Sequence, residues 1–199
     1  FCTDCASGVG ELQIKLSSAW KNLPVGDVND PPPPAIGDTY QGGIIFYLDG
    51  SGGGLIAALS DQSSGIQWNN GTHTITGATG TAIGTGSSNT GLIIASQGGT
   101  AGSYTYAAGI CADYTVDDGG VTYDDWFLPS KDELNEMRQN IGQGNTSGSG
   151  NVGGFSGSNY WSSTEIATNG AQEQYFSSGG SYGNSKNSPF SSVRAVRAF

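Results

Sequence analysis

An α+β fold follows from three stretches of this 199-residue chain. Residues 130–141 begin with Ser130 and Glu133, spaced as a capping box in which each side chain satisfies one orphan N–H of the first turn. Leu134, Met137 and Ile141 then recur at i, i+3 and i+7, so a short amphipathic helix runs to Gly142. Residues 159–165, Asn-Tyr-Trp-Ser-Ser-Thr-Glu, form an aromatic and β-branched run that reads as a strand. Residues 43–48, Gly-Ile-Ile-Phe-Tyr-Leu, are a continuous apolar run ended by Gly-rich turn residues, the pattern of a buried strand. The length allows one sizeable core and an appendage. With 34 glycines and only 12% charged residues, the chain is rich in loops.

From the N-terminus, Cys2 and Cys5 form a Cys-x-x-Cys read as a local disulfide. A Cys/His zinc site would need distant ligands or a second chain, because His73 is the one histidine. Residues 6–23 place Val9, Leu12, Leu16, Ala19 or Trp20, and Leu23 on one helical face, predicting an amphipathic helix that docks on a neighbour, self-associates or packs back on its own domain. Residues 27–34 end in four prolines, a stiff spacer marking a boundary between an anchor, 1–34, and a main domain, 35–199. The missing initiator Met reads as processing or trimming.

Within the main domain, 55–59 is the expected hairpin partner of 43–48, and Trp68 is core. Residues 69–88 read as an extended loop with His73 exposed on it. Asn89 is placed as the cap of a helix through Leu92, Ile93 and Ala95 that ends at Gly98. A further helical stretch through Ala107, Ile110, Cys111 and Tyr114 turns Cys111 inward as a buried thiol. Asp113, Asp117, Asp118, Asp124 and Asp125 surround Gly119 and Gly120; this cluster is a solvated loop or a calcium site. Trp126, Leu128, Leu134 and Trp161 are expected in the core.

In order along the chain, Trp-Phe-Leu-Pro-Ser-x-x-Glu-Leu at 126–134, Tyr-Trp-Ser-Ser-Thr-Glu at 160–165 and Val-Arg-Ala-Val-Arg-Ala-Phe at 193–199 resemble the Legionella collagen-like adhesin C-terminal domain family (DUF1566). The resemblance spans roughly residues 36–199. It implies a C-type-lectin-like domain of short helices and twisted antiparallel strands, related to formylglycine-generating enzymes. It further implies that the first and last strands, 43–48 and 193–199, lie side by side with the functional face opposite. The calcium-and-sugar motifs of C-type lectins, Glu-Pro-Asn and Trp-Asn-Asp, are absent, so no cofactor is expected apart from calcium at the acidic cluster. The enzymes of the fold depend on a C-terminal cysteine pair, and no cysteine follows Cys111.

Other chemistry is equally sparse. No Gly-x-Ser-x-Gly, His-Glu-x-x-His or phosphate loop occurs, and the chain does not read as an enzyme. Glu165 and Glu173 are taken as surface charge. The formal charge of −10 disfavours nucleic acid and anionic membranes, and no stretch approaches the ~20 apolar residues of a membrane span. It also disfavours sulfated glycans unless Lys186, Arg194 and Arg197 cluster.

Residues 166–192 are dominated by Ser, Gly, Asn and Tyr, a paratope-like composition. They also resemble the variable region of retroelement-diversified proteins, in which template adenines mutate and Asn codons change into many others. Gln172, Glu173, Gln174 and Lys186 are unreachable from such codons and read as fixed. The candidate ligand-binding residues are Ile166, Thr168, Asn169, Tyr175 and Ser177, followed by Ser181, Tyr182, Asn184, Asn187 and Phe190. Phe176 is set apart as an inward-facing residue. The function expected is an extracellular binding or adhesion module on a cell or virion surface, such as a phage tail or fibre, with a protein or glycan ligand. The N-terminal helix would hold it in a larger assembly. The alternative of another class is a structural subunit of a filament or particle.

Overall fold

The computed structural model describes residues 12–16, 19–23, 34–146 and 150–199. The chain divides into two units, Phe1–Pro34 and Ala35–Phe199. In the first, β1 (Leu12–Leu16) pairs antiparallel with β2 (Ala19–Leu23), Leu12 opposite Leu23 and Leu16 opposite Ala19. The amphipathic helix expected over 6–23 is therefore corrected to a hairpin across these residues. Leu-Gln-Ile-Lys-Leu alternates apolar and polar with period two, and that alternation prevails over the helical spacing of the leucines. Residues 6–11, the Cys2 and Cys5 pair and most of the proline spacer lie outside the described residues.

The second unit is a mixed α+β structure, mostly sheet with three short helices among the described residues. Two-residue β3 (Thr39–Tyr40), β4 (Gly43–Leu48) and β5 (Gly54–Ala58) form a meander. After β6 (Ser63–Ile66) the chain runs without helix or strand to α1 (Gly86–Gln97), followed by α2 (Ala107–Ala112). Helix α1 starts one turn before Asn89, with Thr85 at its cap position. Asn89 lies inside the helix instead, where its side chain accepts from Gly80 N–H (3.2 Å) and donates to Gly80 O (2.7 Å). Strands β7 (Val116–Asp118) and β8 (Val121–Tyr123) form a hairpin across Gly119 and Gly120. Both glycines have positive φ, as a tight two-residue connection requires. Helix α3 (Lys131–Ile141) carries the expected capping box. Ser130 Oγ accepts from Glu133 N–H, Glu133 Oε2 accepts from Ser130 N–H at 2.7 Å, and Gly142 ends the helix.

The C-terminal third supplies β9 (Asn159–Ala167), β10 (Gly170–Tyr175), β11 (Ser181–Ser185), β12 (Ser191–Val193) and β13 (Val196–Ala198). One sheet has the order β11-β10-β9-β12-β6 and the other β13-β5-β4-β3. The closing segment is thus two strands in two sheets, with Arg194 and Ala195 between them. Strand β13 pairs with β5, Val196 opposite Ala57, and not with 43–48 as expected. The start of the unit still meets its end through side chains: the Tyr40 ring packs edge-on against Phe199 at 4.9 Å, and Arg197 donates to Gln41 Oε1 at 2.5 Å.

Strand β4 explains its own continuous apolar run. Ile45 joins a core cluster with Trp68, Trp126, Trp161, Ile93 and Cys111. Ile44 and Phe46 join a second with Leu134, Met137, Ile141, Tyr160 and Phe176. A strand buried on both faces has no polar side to show. All four expected core residues are buried, Trp126 and Trp161 at 2% and 0% exposure. Among the described residues no helix is long and apolar enough to cross a membrane.

Candidate ligand-binding surface

The scaffold beneath the C-terminal tract is organised by the Trp-Ser-Ser-Thr-Glu run of β9. Across the β9–β10 ladder Ala171 faces Glu165 while Glu173 faces Trp161, so three residues, Ser162 to Thr164, stand against the single Gln172. This bulge withdraws their backbone groups from the ladder, and other elements satisfy them. Ser163 N–H donates to Pro129 O and Glu165 N–H to Ala78 O, each at 2.7 Å, while Ser162 O accepts the Trp68 indole N–H at 2.8 Å. The short hydroxyls complete the join. Ser162 Oγ donates to Gln172 O (3.0 Å), and Thr164 Oγ1 donates to Gly80 O (2.8 Å) while accepting from Lys131 N–H (3.1 Å).

Glu165 and Lys186 form an ion pair with side chains 3% and 0% exposed. The carboxylate also accepts from Thr76 N–H (2.9 and 3.0 Å) and Gly77 N–H (2.9 Å). The ammonium donates to Thr74 O at 2.8 Å and stands 4.7 Å from the Trp68 ring centroid. Burial alone raises the pKa of Glu165. The Lys186 ammonium and the two backbone amides outweigh that effect and hold the group below its ordinary value. The backbone of Lys186 is equally engaged, its N–H on Asn169 O (2.9 Å) and its O on Trp68 N–H (2.8 Å).

Glu173, 5% exposed, faces neutral donors: Asn159 Nδ2 at 2.7 Å, Asn184 Nδ2 at 3.1 Å and Ser191 Oγ at 2.5 Å. The expectation that Glu165 and Glu173 are surface charge is overturned. Each is the buried acceptor hub of a hydrogen-bond network, a state that depends on partners distant in sequence.

Over this scaffold the candidate residues separate by register. Glu173 lies opposite Tyr182, so Tyr175, Tyr182 and Asn184 share its face of the β10–β11 ribbon. Ser181, opposite Gln174, and Ile166, whose side chain covers Gly183, lie on the other face. Thr168 and Asn169 form the exposed β9–β10 turn. Asn187 stands beside that turn, its Nδ2 3.1 Å from His73 Nε2. Phe190 is the most exposed large apolar residue described, at 82%, and adjoins β6 at Gly65. Of the other candidates, Tyr182, Ile166 and Tyr175 are 59%, 50% and 41% exposed; Ser177 is exposed, and Asn184 and Asn187 are half-buried. Phe176 is fully buried against Tyr160 and Phe155.

Residues 73–75 join this surface through the Glu165–Lys186 pair, which holds Thr74 within the stretch and Thr76 just after it. Ile75 is 71% exposed there. Nothing in the local sequence of 69–88 signals this placement, because the anchors come from residues 165 and 186.

Lys186, Arg194 and Arg197 do not cluster. Arg194, 2% exposed, bonds Asp61 Oδ1 (2.7 Å) and the carbonyls of Ala58 and Gly153 (2.9 Å each), and Arg197 pairs with Asp125. Nor do the five aspartates of the acidic cluster converge. Asp113 accepts from Gly102 and Tyr104 N–H, Asp117 from Thr122, and Asp125 from Arg197. Among the described residues no three His, Cys, Asp or Glu side chains are grouped to hold a metal. Cys111 is fully buried, and burial pushes its thiol pKa up, away from the thiolate a nucleophile needs. A scan of protein families matches no family model, and a search of curated proteins finds no match.

Proposed function

We propose that the unit Ala35–Phe199 is a C-type-lectin-like binding module of a cell or virion surface, and that residues 166–192 display its ligand contacts. The single observation carrying this reading is a division of labour inside the tract. Glu173, Gln174 and Lys186, none of them reachable by adenine mutation of an Asn codon, are buried and hold the strands together. Ile166, Tyr175, Tyr182 and Phe190, all reachable, are exposed. Among these seven residues the side chains that fix the backbone are distinct from those that can change, as a diversified recognition surface demands; Phe176 and Asn184, also reachable, belong to the scaffold. Aromatic anchors supply most of the energy of such surfaces. The lectin-like assignment is supported by the order of the three motifs and by the terminal segments of the unit meeting at Tyr40 and Phe199.

Two measurements test the proposal. Sister copies of the gene should differ at exposed positions such as 166, 175, 182 and 190 and agree at 172, 173, 174 and 186; differences confined to third codon positions overturn diversification. In the protein, replacing Tyr175, Tyr182 and Phe190 together by Ser should abolish capture on a glycan and surface-protein array without moving the melting temperature. Retained capture, or an unfolded variant, overturns the display reading. A structural-subunit role is favoured by one feature, the open outer edge of β11. Concentration-dependent edge-to-edge assembly in light scattering would support that role instead.

A further inference from the structure

The outer strand of the five-stranded sheet, β11, has backbone groups to offer. Two bonds flanking the β10–β11 register fix the phase of the ladder: Tyr175 N–H donates to Gly180 O (2.8 Å) and Lys186 N–H to Asn169 O (2.9 Å). Tyr182 and Asn184 therefore bond inward to β10, while the N–H and C=O of Ser181, Gly183 and Ser185 point outward. Ser185 is already served, its N–H by Asn184 Oδ1 (2.7 Å) and its O by Ser188 N–H (2.9 Å). The donor and the acceptor of Ser181 and of Gly183 have no strand beside them among the described residues, and both residues are exposed.

Open edges recruit further strands and are ordinarily blunted by charge, proline, a bulge or a covering segment. The other edges here are short or engaged. Strand β3 has two residues, and β13 exchanges bonds with Phe127 at 2.8 and 2.9 Å. On β6, Ile66 O accepts the Trp161 indole N–H (2.8 Å) and Gly65 N–H donates to Ser63 Oγ (3.1 Å). Strand β11 has none of these devices: residues 177–185 hold no charged residue and no proline, and the pairing with β10 runs without a register shift.

We propose that β11 receives an extended, basic segment of a protein partner as an added antiparallel strand. The inference rests on the display reading and narrows its ligand to a peptide in strand form. Main-chain bonds to Ser181 and Gly183 supply affinity, and alternate side chains supply selectivity. On one face the segment meets Tyr182, 59% exposed. On the other it meets Gly183, which has no side chain of its own and is covered by Ile166, 50% exposed. An apolar residue opposite Gly183 packs on that Ile166 side chain. A second copy of this chain fits less well. The twofold register that meets all four edge groups sets Ser181 opposite Gly183, which leaves Ile166 wet, and it brings together two chains of formal charge −10. The same charge attracts a basic segment. Changes of side chain leave the edge groups in place, so the edge is the constant part of recognition and Tyr175 and Tyr182 the variable part.

The test titrates the full labelled chain with acetyl-Lys-Thr-Val-Thr-Val-Thr-Lys-amide, whose valines lie on the Ile166 face when its central Thr is opposite Tyr182. NMR reads the backbone amides of Ser181 and Gly183. Both should shift saturably in the millimolar range and gain protection from hydrogen exchange. The same peptide N-methylated at both valines cannot donate to the edge and should leave them in place. A version ended by Glu in place of Lys should bind several-fold more weakly at low salt. Ser181→Pro removes one outward donor without touching the β10 ladder, a change that edge strands tolerate. It should weaken the lysine-ended peptide about tenfold or more, with Gly183 as the reporter. Unshifted amides, equal binding of the N-methylated or glutamate-ended peptide, or undiminished binding to Ser181→Pro would overturn the proposal. So would shifts that follow protein concentration without peptide, which assign the edge to a second copy. Array capture that persists while the peptide fails sinks the edge alone, whereas peptide binding without array capture supports the edge and sinks the displayed side chains.

Discussion

Lys186→Met removes the ammonium from a site where, among the described residues, no other cation pairs with Glu165. Taking one partner from a buried pair costs ~3–5 kcal/mol. The Thr76 and Gly77 amides still solvate the carboxylate, so the loss should sit near the lower limit, about 3 kcal/mol. For a domain of this size that corresponds to a fall of roughly 6–12 °C in melting temperature. The sign with pH is fixed by Glu165. Its folded pKa is held down in the wild type, so the pair contributes stability above the ordinary carboxylate range and loses it as pH falls through the lowered value. Without Lys186 the burial effect dominates, and the variant can protonate Glu165 early. Its deficit should therefore be full at neutral pH and shrink in acid. Adding Glu165→Gln should restore at least half of the loss, since a neutral amide can occupy the dry site. Denaturant melts across pH, with amide exchange at Thr76, Gly77 and residue 186, whose N–H donates to Asn169 O, measure all of this. Equal stability of wild type and Lys186→Met at neutral pH, or a deficit independent of pH, would refute the argument.

Three further perturbations have defined outcomes. Trp126, 2% exposed and edge-on to Tyr114 at 5.1 Å, should lose ~3–5 kcal/mol on replacement by Ala, read by chemical denaturation. Glu133 accepts from Ser130, Gly84 and Gly86 N–H, yet burial raises its pKa. Its contribution is thus largest below the ordinary carboxylate range and is lost as pH rises through the raised value; Glu133→Gln should match the wild type in acid and gain on it toward neutral pH in melting experiments. Both described core clusters consist of residues from the second unit, so a chain lacking residues 1–34 should melt cooperatively at a temperature close to that of the full chain.

Local rules wrote much of the fold legibly. The Ser130 and Glu133 capping box, the inward Cys111, the Gly43–Leu48 strand and its hairpin partner all follow from residues within one or two turns of each other. The failures have a common physical cause. Residues 12–23 satisfy a helical and a strand period together, and local spacing alone does not decide between them. Asn89 has the chemistry of a cap, but Gly80 claims its amide from outside the helix. The closing segment reads as one strand because nothing near Arg194 in sequence announces that Asp61 and two distant carbonyls hold its guanidinium between two sheets.

The candidate surface follows the same logic. Exposure of Tyr182 or Phe190 is a local property of a polar tract, whereas the burial of Glu165, Glu173 and Lys186 is a property of pairs separated by many residues. In a weakly charged chain, a Lys and a Glu inside a Ser/Gly-rich tract are not cheap solubility, because Ser, Thr and Asn already supply that. Their presence calls for a specific electrostatic task, and here each is tied to a bond: Lys186 to Glu165, and Glu173 to Asn159, Asn184 and Ser191. The gain is geometric specificity more than stability, since an apolar pair of equal volume would hold the sheet about as well. An apolar pair, however, would leave Thr74 O and the Thr76 and Gly77 amides unmet and release the loop that carries His73 and Ile75. The buried charges therefore set where the displayed residues stand, and a change at 165 or 186 should alter recognition even where the fold survives.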